Sequence, residues 1–191
     1  MSSQKNVLEA ILGSTRTVFN IQSLMMLTAS TDSQKLSKSL HYYVEEGKIR
    51  NPRRGIYTKA TYDEREMACC LFRPAYISLA YVLQRFGVVF QYDEAITCVS
   101  YLNRTVEIDG REYQFRSINP ELWIGMDGIE RHDNILIASP ERAFLDMLYL
   151  SSGNCYFDNL NSLDKTKVRQ LLPCYHSIVL TERTTELLNK R

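Results

Sequence analysis

The sequence lacks most of the patterns that mark catalytic or exported proteins. Its eight glycines are scattered and form no glycine-rich phosphate loop. No apolar run approaches the ~20 residues that cross a bilayer, and the amino terminus lacks the basic head and apolar stretch of a signal peptide. The five cysteines are odd in number and show no Cys-x-x-Cys spacing. This usage predicts reduced, mostly buried thiols in a cytoplasmic protein that has no membrane partner.

Residues that would indicate catalysis are also sparse. The three histidines, at positions 41, 132 and 176, lie in unrelated contexts and form no Ser-His-Asp arrangement. A metal-dependent nuclease needs two or three carboxylates and usually a lysine. Asp109 and Glu112 come nearest, but Asp109 stands in an Asp-Gly turn and Glu112 lacks a nearby lysine. The sequence therefore predicts a protein that is not an enzyme and that binds no cofactor and no metal.

The charge is divided unevenly along the chain. Residues 1–61 contain nine lysines and arginines and four acidic residues, a net charge of +5, whereas residues 62–191 contain fourteen and eighteen, a net charge of −4. Such an asymmetry is typical of a basic module for a polyanion joined to a more acidic body. We expect the boundary between the two domains near Thr61.

The stretch from Phe19 to Thr58 has the pattern of two short helices followed by a hairpin. Thr28-Ala29-Ser30 is the expected turn, and the capping-box pattern Thr31-Asp32-Ser33-Gln34 predicts the start of the second helix. Gly47 is the expected end of that helix. Residues at helical spacing form the apolar faces of the two helices: Ile21, Leu24 and Met25 in the first, and Leu36, Leu40, Tyr43 and Val44 in the second.

A basic hairpin follows the second helix. Asn51-Pro52-Arg53-Arg54-Gly55 is the predicted connection, with two arginines at its tip, and Ile56-Tyr57-Thr58 is the returning strand. Asn6 to Leu12 is expected to be a supporting helix, and Thr15 to Val18 is either a short strand that pairs with the hairpin or a linker. This order predicts a winged helix-turn-helix domain over residues 1–61.

Double-stranded DNA is the expected partner of this domain. The first turn of a recognition helix usually contacts base edges, and basic residues in the wing reach the phosphate backbone or the minor groove. The helix residues opposite the apolar stripe and the arginines of the hairpin are therefore the candidate DNA-binding residues: Gln34, Lys35, Lys38, Tyr42, Arg50, Arg53 and Arg54.

The sequence pattern of residues 62–191 predicts a mixed α/β domain. Together with the predicted winged helix-turn-helix domain, this gives α+β as the predicted fold class of the whole chain. Asp109-Gly110 is a strong signal for an antiparallel hairpin. Ser139-Pro140-Glu141-Arg142 predicts a helix start, because serine caps the helix and proline suits its first position. The other expected elements are helices over 61–72, 75–87, 164–172 and 178–189, and strands over 95–100, 122–126 and 134–138.

Two stretches together resemble the AbiEi family, the antitoxins of type IV toxin–antitoxin (abortive infection) systems. One is the end of the second helix with the hairpin, Gly47-Lys48-Ile49-Arg50 and Arg54-Gly55-Ile56-Tyr57. The other is Ile137-Ala138-Ser139-Pro140-Glu141-Arg142-Ala143-Phe144-Leu145-Asp146. The resemblance implies a repressor that binds inverted repeats in its own promoter. It also implies a C-terminal part that counteracts a nucleotidyltransferase toxin.

Two alternatives remain open from the residues alone. The chain could be a winged-helix transcriptional regulator whose C-terminal domain senses a ligand or a partner, or a metal-dependent nuclease with a DNA-targeting head. The Ser139–Arg142 motif does not separate these alternatives, because a helix cap and an inward ion pair between Arg142 and an acid explain it without chemistry.

Overall fold

The computed structural model describes residues 6–123, 126–151 and 155–189. The fold is mixed α and β. The chain divides into two compact units, residues 1–71 and 72–191. Within the described ranges, the helices are all too short or too polar to cross a membrane.

The N-terminal unit contains four helices and a small antiparallel sheet in its described part. The strands lie in the order β1–β3–β2, and β1 pairs with β3 from Val18 opposite Thr58 to Asn20 opposite Ile56. Of the two alternatives for Thr15–Val18, a short strand that pairs with the hairpin is present, but it begins only at Val18 and extends to Asn20. In chain order the elements are α1 (Val7–Gly13), β1 (Val18–Asn20), α2 (Ile21–Thr28), α3 (Ser33–Glu45), β2 (Arg50–Arg53), β3 (Ile56–Thr58) and α4 (Glu64–Leu71).

One hydrophobic core joins α1, α2 and α3 to the sheet of this unit. Leu36 and Leu40 of α3 are buried, and the expected neighbours Tyr43 and Val44 pack partly buried against the same core. Leu24 of α2 is also fully buried. The other core members come from the flanking elements: Val7, Ile11, Phe19 and Ile49.

The start of α3 differs from the predicted capping box. The N-cap is Asp32 rather than Thr31, and its Oδ1 accepts hydrogen bonds from the backbone N–H groups of Gln34 and Lys35 at 3.0 and 2.9 Å. An aspartate satisfies two N–H groups that a helix leaves unpaired, and its charge is favourable at this end of the helix dipole. The capping box lies instead at the start of α2, between Asn20 and Ser23.

The first unit ends after Leu71, beyond the boundary expected near Thr61. Glu66 of α4 explains the difference, because its side chain is buried within this unit. Its Oε2 accepts hydrogen bonds from the Thr17 N–H at 2.6 Å, the Thr17 hydroxyl at 2.7 Å and the Val18 N–H at 3.0 Å. These bonds hold α4 against the start of β1.

The C-terminal unit contains a six-stranded mixed sheet in the order β6–β7–β5–β4–β9–β8. The pairs β5–β7 and β4–β9 are parallel, and the remaining neighbours are antiparallel. Its elements are β4 (Ala75–Ile77), α5 (Ala80–Arg85), β5 (Ile96–Ser100), β6 (Arg104–Ile108), β7 (Arg111–Ser117), β8 (Ile129–His132), β9 (Ile135–Ala138), α6 (Pro140–Leu150), α7 (Lys165–Leu171) and α8 (Ile178–Asn189).

Several local predictions for this unit are confirmed. Asp109 and Gly110 join β6 to β7 with φ values of +52° and +78°, as the mirror-image turn of an Asp-Gly hairpin requires. The α6 helix has Ser139 as its N-cap, whose Oγ accepts the Arg142 N–H at 3.2 Å, and Pro140 in its first turn. The expected strand before it is present as β9.

Two predictions for this unit are wrong. The helix expected over 75–87 is a strand, β4, followed by the shorter α5; β4 is wholly buried because β5 and β9 flank it on both edges. A strand was expected over 122–126, but its first two residues belong to a 3-10 helix, Pro120–Trp123. Residues 124 and 125 lie outside the described ranges. A second edge strand, β8, had no counterpart among the predictions.

Candidate nucleic-acid interface

The predicted DNA-binding residues of α3 lie on its solvent-exposed side. Gln34, Lys35, Lys38 and Tyr42 are all exposed, while the opposite side of the helix buries Leu36 and Leu40. The Asp32 cap fixes the backbone of the first turn, from which Gln34 and Lys35 project. The structure therefore gathers the four predicted helix residues on one accessible surface.

The two lysines of this surface differ from other charged residues nearby. His41 lies 3.2 Å from Glu45, and Lys48 lies 3.8 Å from Glu46, so both of these side chains have acidic neighbours. Within the described ranges, no carboxylate lies within ion-pairing distance of Lys35 or Lys38. Both ammonium groups remain available to an external anion.

The β2–β3 hairpin carries the three predicted arginines. Arg54 and Gly55 form the connection, with Gly55 at φ +80°, while Arg53 is the last residue of β2 and pairs with Ile56. Only Arg54 of the two arginines expected at the tip therefore occupies the turn. Arg50 and Arg54 are exposed and Arg53 is half-buried, so the hairpin presents positive charge along one strand and at its end.

Asn51 fixes the shape of this hairpin. Its side-chain amide donates hydrogen bonds to the carbonyl oxygens of Arg53 at 2.9 Å and Ile56 at 2.6 Å. The pairing between β2 and β3 is irregular between Arg50 and Arg53, and the Asn51 amide bridges the interruption. At the other end, the Arg50 guanidinium lies 6.0 Å from the ring centre of Tyr62, within reach of a cation–π contact.

The N-terminal unit is basic, although less so than the charge pattern predicted. Residues 1–71 contain ten lysines and arginines and seven acidic residues, a net charge of +3. The acids added by α4 and its approach are Asp63, Glu64 and Glu66. Asp63 forms an ion pair with Arg65 at 2.7 Å; hydrogen bonds from the Arg65 guanidinium lower the pKa of the Asp63 carboxyl. The Glu66 carboxylate is buried, where it accepts the hydrogen bonds from Thr17 and Val18.

A second cluster of charged groups lies buried in the C-terminal unit. The Asp146 carboxylate accepts hydrogen bonds from Arg142 Nε at 3.1 Å and from the hydroxyls of Tyr76 at 2.9 Å, Ser78 at 2.7 Å and Tyr175 at 2.6 Å. Each of the five side chains is 3% exposed or less. The expected inward pair of Arg142 with an acid is thus present, whereas Tyr76, Ser78 and Tyr175 carried no sequence signal that linked them to it.

The electrostatics of this cluster stabilise one protonation state. Burial and the charge of Asp146 raise the pKa values of Tyr76 and Tyr175 above the ordinary range, so that both phenols stay neutral and donate. Burial alone would lower the pKa of the Arg142 guanidinium. The negative charge of Asp146 and the two phenols together outweigh burial, so the pKa of Arg142 is raised. Every member of the cluster is buried. The cluster connects β4, α6 and the 3-10 helix Leu172–Tyr175, so we interpret it as an architectural element of the unit.

Asp109 and Glu112, the acids considered as possible nuclease residues, have local structural roles in and after the β6–β7 turn. Asp109 occupies the left-handed position of the β6–β7 turn, and Glu112 accepts a hydrogen bond from the Gln114 amide at 2.6 Å. Among the described residues, no group of three or more His, Cys, Asp or Glu is arranged to hold a metal ion.

Comparison of the sequence with protein families and with curated proteins identifies no relative of this chain. No protein-family model matches the chain, and no curated protein matches it. The function is therefore argued from the exposed basic surface of the N-terminal unit and from the sequence motifs.

Proposed function

We propose that the N-terminal unit is a winged helix-turn-helix domain that binds double-stranded DNA. The observation that carries the proposal is the exposed side of α3, where Lys35 and Lys38 form no ion pair with a carboxylate of the described residues, in a unit whose β2–β3 hairpin bears Arg50, Arg53 and Arg54. The order helix, strand, helix, turn, helix and hairpin supports this proposal, in which α3 is the recognition helix and the hairpin is the wing.

The proposed complex divides the contacts into two kinds. The N-terminal part of α3 enters the major groove, where Gln34 suits a bidentate contact to adenine and Lys38 a contact to guanine. Tyr42, two turns further along, contacts a base or a phosphate. The arginines of the wing bind the phosphate backbone or the narrow minor groove, which positions the domain without reading most of the sequence.

The biological role we propose is that of an autorepressor and antitoxin of a type IV toxin–antitoxin system. It rests on the resemblance of Gly47–Arg50, Arg54–Tyr57 and Ile137–Asp146 to the AbiEi antitoxins. The DNA target is then the inverted repeats of the chain's own promoter, and the C-terminal unit counteracts a nucleotidyltransferase toxin. The buried Arg142–Asp146 cluster contributes the shape of that unit and no chemistry.

Substitution of the wing tests the DNA-binding proposal. The double variant Arg53→Ala/Arg54→Ala should bind every duplex more weakly, and the slope of log affinity against log salt should flatten by about two. The matched control is Lys167→Ala/Arg169→Ala, which removes two exposed basic residues of α7. Equal affinities and slopes for the two double variants would show that the hairpin is not a wing.

Co-expression tests the antitoxin role separately. A nucleotidyltransferase encoded next to this chain should stop growth when it is expressed alone, and the full-length chain should restore growth. A chain carrying the Arg53→Ala/Arg54→Ala change should still protect if protection depends on the C-terminal unit. Failure of the unsubstituted chain to protect would remove the antitoxin role and leave DNA binding untouched.

A further inference from the structure

A polar pocket lies beside the exposed surface of α3 in the N-terminal unit. Its volume is about 210 Å³, below the several hundred Å³ typical of sites for drug-sized ligands. It is an open cavity bordered by the start of α1, the turn between α2 and α3, and one side of α3. Its lining residues are Asn6, Val7, Thr28, Ser30, Lys35, Leu36, Ser39 and Tyr43.

Lys35 belongs to this pocket rather than to the centre of the exposed surface. Lys35, Ser39 and Tyr43 follow one another at intervals of four residues, which places them in one row along the helix. Gln34 and Lys38 form a separate row, and neither lines the pocket. The two predicted DNA-binding lysines of α3 therefore have different surroundings.

The pocket offers hydrogen-bond donors and a positive charge. The Oδ1 of Asn6 accepts the Leu8 N–H at 3.0 Å and the Tyr43 hydroxyl at 3.1 Å. These bonds fix the Asn6 amide, and among the described residues its Nδ2 has no acceptor. The Ser30 hydroxyl makes only a long bond of 3.4 Å to the Asp32 carbonyl. The pocket therefore has three hydrogen-bond donors for a ligand: the Asn6 amide, the Ser30 hydroxyl and the Lys35 ammonium.

The remaining lining groups neither repel an anion nor compete for it. None of the eight lining residues is acidic. The hydroxyls of Thr28 and Ser39 donate to the helix carbonyls of Leu24 and Lys35 at 2.8 and 3.1 Å, so they are already satisfied. Because an anion in a small polar pocket needs donors and a nearby cation, the arrangement favours a compact oxyanion.

We propose that this pocket binds a phosphate group through Lys35, the Asn6 amide and the Ser30 hydroxyl. The phosphate comes either from the DNA backbone, in which case the inference rests on the proposed DNA binding, or from a free phosphate-bearing small molecule. If the phosphate is that of the DNA backbone, Lys35 is a contact that positions the helix on the duplex, whereas Gln34 and Lys38 contact base edges.

Two substitutions isolate the pocket. Asn6→Asp replaces the free amide donor by a carboxylate but keeps an oxygen that caps α1, because aspartate and asparagine are equivalent N-caps. Lys35→Met removes the charge and keeps most of the side-chain length. Lys167→Met, on an exposed residue of α7, is the control for the loss of one positive charge. Circular dichroism and thermal midpoints should show all three variants folded.

The first measurement uses inorganic phosphate without DNA. Titration calorimetry at constant ionic strength compares the unsubstituted chain, Asn6→Asp, Lys35→Met and Lys167→Met. A free phosphate ligand gives saturable binding that the control retains and both pocket variants weaken by about tenfold or more, since they remove a charge-assisted bond or add a repelling carboxylate.

The second measurement uses duplex DNA at several salt concentrations. If the phosphate is that of the DNA backbone, Lys35→Met reduces the salt slope by about one and weakens specific and unrelated duplexes by the same factor. Asn6→Asp weakens both duplexes as well, and Lys167→Met changes neither. This result supports the pocket even if inorganic phosphate alone binds too weakly to detect.

The two arms also separate this inference from the proposed function. Saturable phosphate binding that depends on Asn6 and Lys35, with no DNA binding by the unsubstituted chain, would keep the pocket and remove the DNA-binding function. Variants that match Lys167→Met in both measurements would overturn the phosphate site. A loss of affinity for the specific duplex alone would make Lys35 a base contact and would overturn it too.

Discussion

Two helices of this protein carry a basic and an acidic side chain in contact at the same spacing, one pair exposed and the other buried. His41 and Glu45 lie four residues apart on α3, 3.2 Å from each other, with side chains 75% and 65% exposed. Arg142 and Asp146 lie four residues apart on α6, 3.1 Å from each other, with side chains 2% and 0% exposed. The spacing alone therefore says nothing about the role of the pair.

The difference extends to the two units as a whole. The N-terminal unit places its basic residues on the outside of α3 and the β2–β3 hairpin, where water screens them and a polyanion can reach them. The C-terminal unit encloses Arg142 with Asp146 and three hydroxyl groups. The basic side chains of the N-terminal unit are accessible to solvent, whereas the enclosed charges of the C-terminal unit determine its internal geometry.

Removal of the acid from each pair should separate the two roles most strongly. Asp146→Ala leaves Arg142 buried without its counter-ion and should lower the free energy of unfolding by about 3–5 kcal/mol. Glu45→Ala, the matched change in the exposed pair, should lower it by about 0–1 kcal/mol. Urea denaturation measures both. Similar losses for the two variants would contradict the architectural role of the buried pair.

The packing around Arg142 gives the next largest effect. A Cβ on Gly128 would lie 2.9 Å from the Arg142 Cβ and 3.0 Å from Leu171 Cδ1, and Gly128 has φ +73°. Gly128→Ala should therefore cost about 2–5 kcal/mol, the sum of backbone strain and overpacking. Gly110→Ala, at φ +78° in open space, carries only the strain and should cost about 1–2 kcal/mol. Equal costs would show that the contact with Arg142 relaxes.

Alkaline pH should weaken the C-terminal unit through its two buried phenols. The pKa values of Tyr76 and Tyr175 are raised in the folded protein, so the unfolded chain loses these protons first. Their contribution to stability is complete below pH ~10 and is lost as pH rises above it, by about 1.4 kcal/mol per pH unit for each tyrosine. Tyr175→Phe should reduce the slope of stability against pH by that amount. An unchanged slope would mean that Tyr175 ionises in the folded protein.

The Asp32 cap should have the smallest effect of the four. Asp32→Ala removes the acceptor of the Gln34 and Lys35 N–H groups and should cost about 1 kcal/mol. Asp32→Asn keeps an acceptor and should cost only a few tenths of that energy. The two variants are compared by the midpoint of the unfolding transition of the N-terminal unit, measured with heat or urea. If Asp32→Asn were as costly as Asp32→Ala, the charge rather than the cap would stabilise the start of α3.

The parts of the fold that could be predicted are those with local causes. The β6–β7 turn follows from Asp109-Gly110, and the start of α6 follows from Ser139-Pro140, because each conformation depends on neighbouring residues alone. The burial of Leu36 and Leu40 follows from their spacing on α3. In these cases the physical cause and the sequence signal lie within a few residues of each other.

The parts that could not be predicted depend on distant partners. The strand Ala75–Ile77 is too short to show alternation, and its register is set by β5 and by Ile137 of β9. The edge strand Ile129–His132 is mostly polar and exposed, so it lacks an apolar pattern. The pocket beside Lys35 likewise needs Asn6 of another helix, a pairing that no spacing along α3 reveals.

The exposed side of α3 is tested most directly by the discrimination between two duplexes. Fluorescence anisotropy at physiological salt should give the unsubstituted chain an affinity for its own upstream DNA about 10³-fold or more above that for a scrambled duplex. Gln34→Ala should lower this ratio about tenfold or more through loss of a base contact, while affinity for the scrambled duplex stays the same. Equal affinity of the unsubstituted chain for both duplexes, or an unchanged ratio in Gln34→Ala, would contradict the assignment of α3 as the recognition helix.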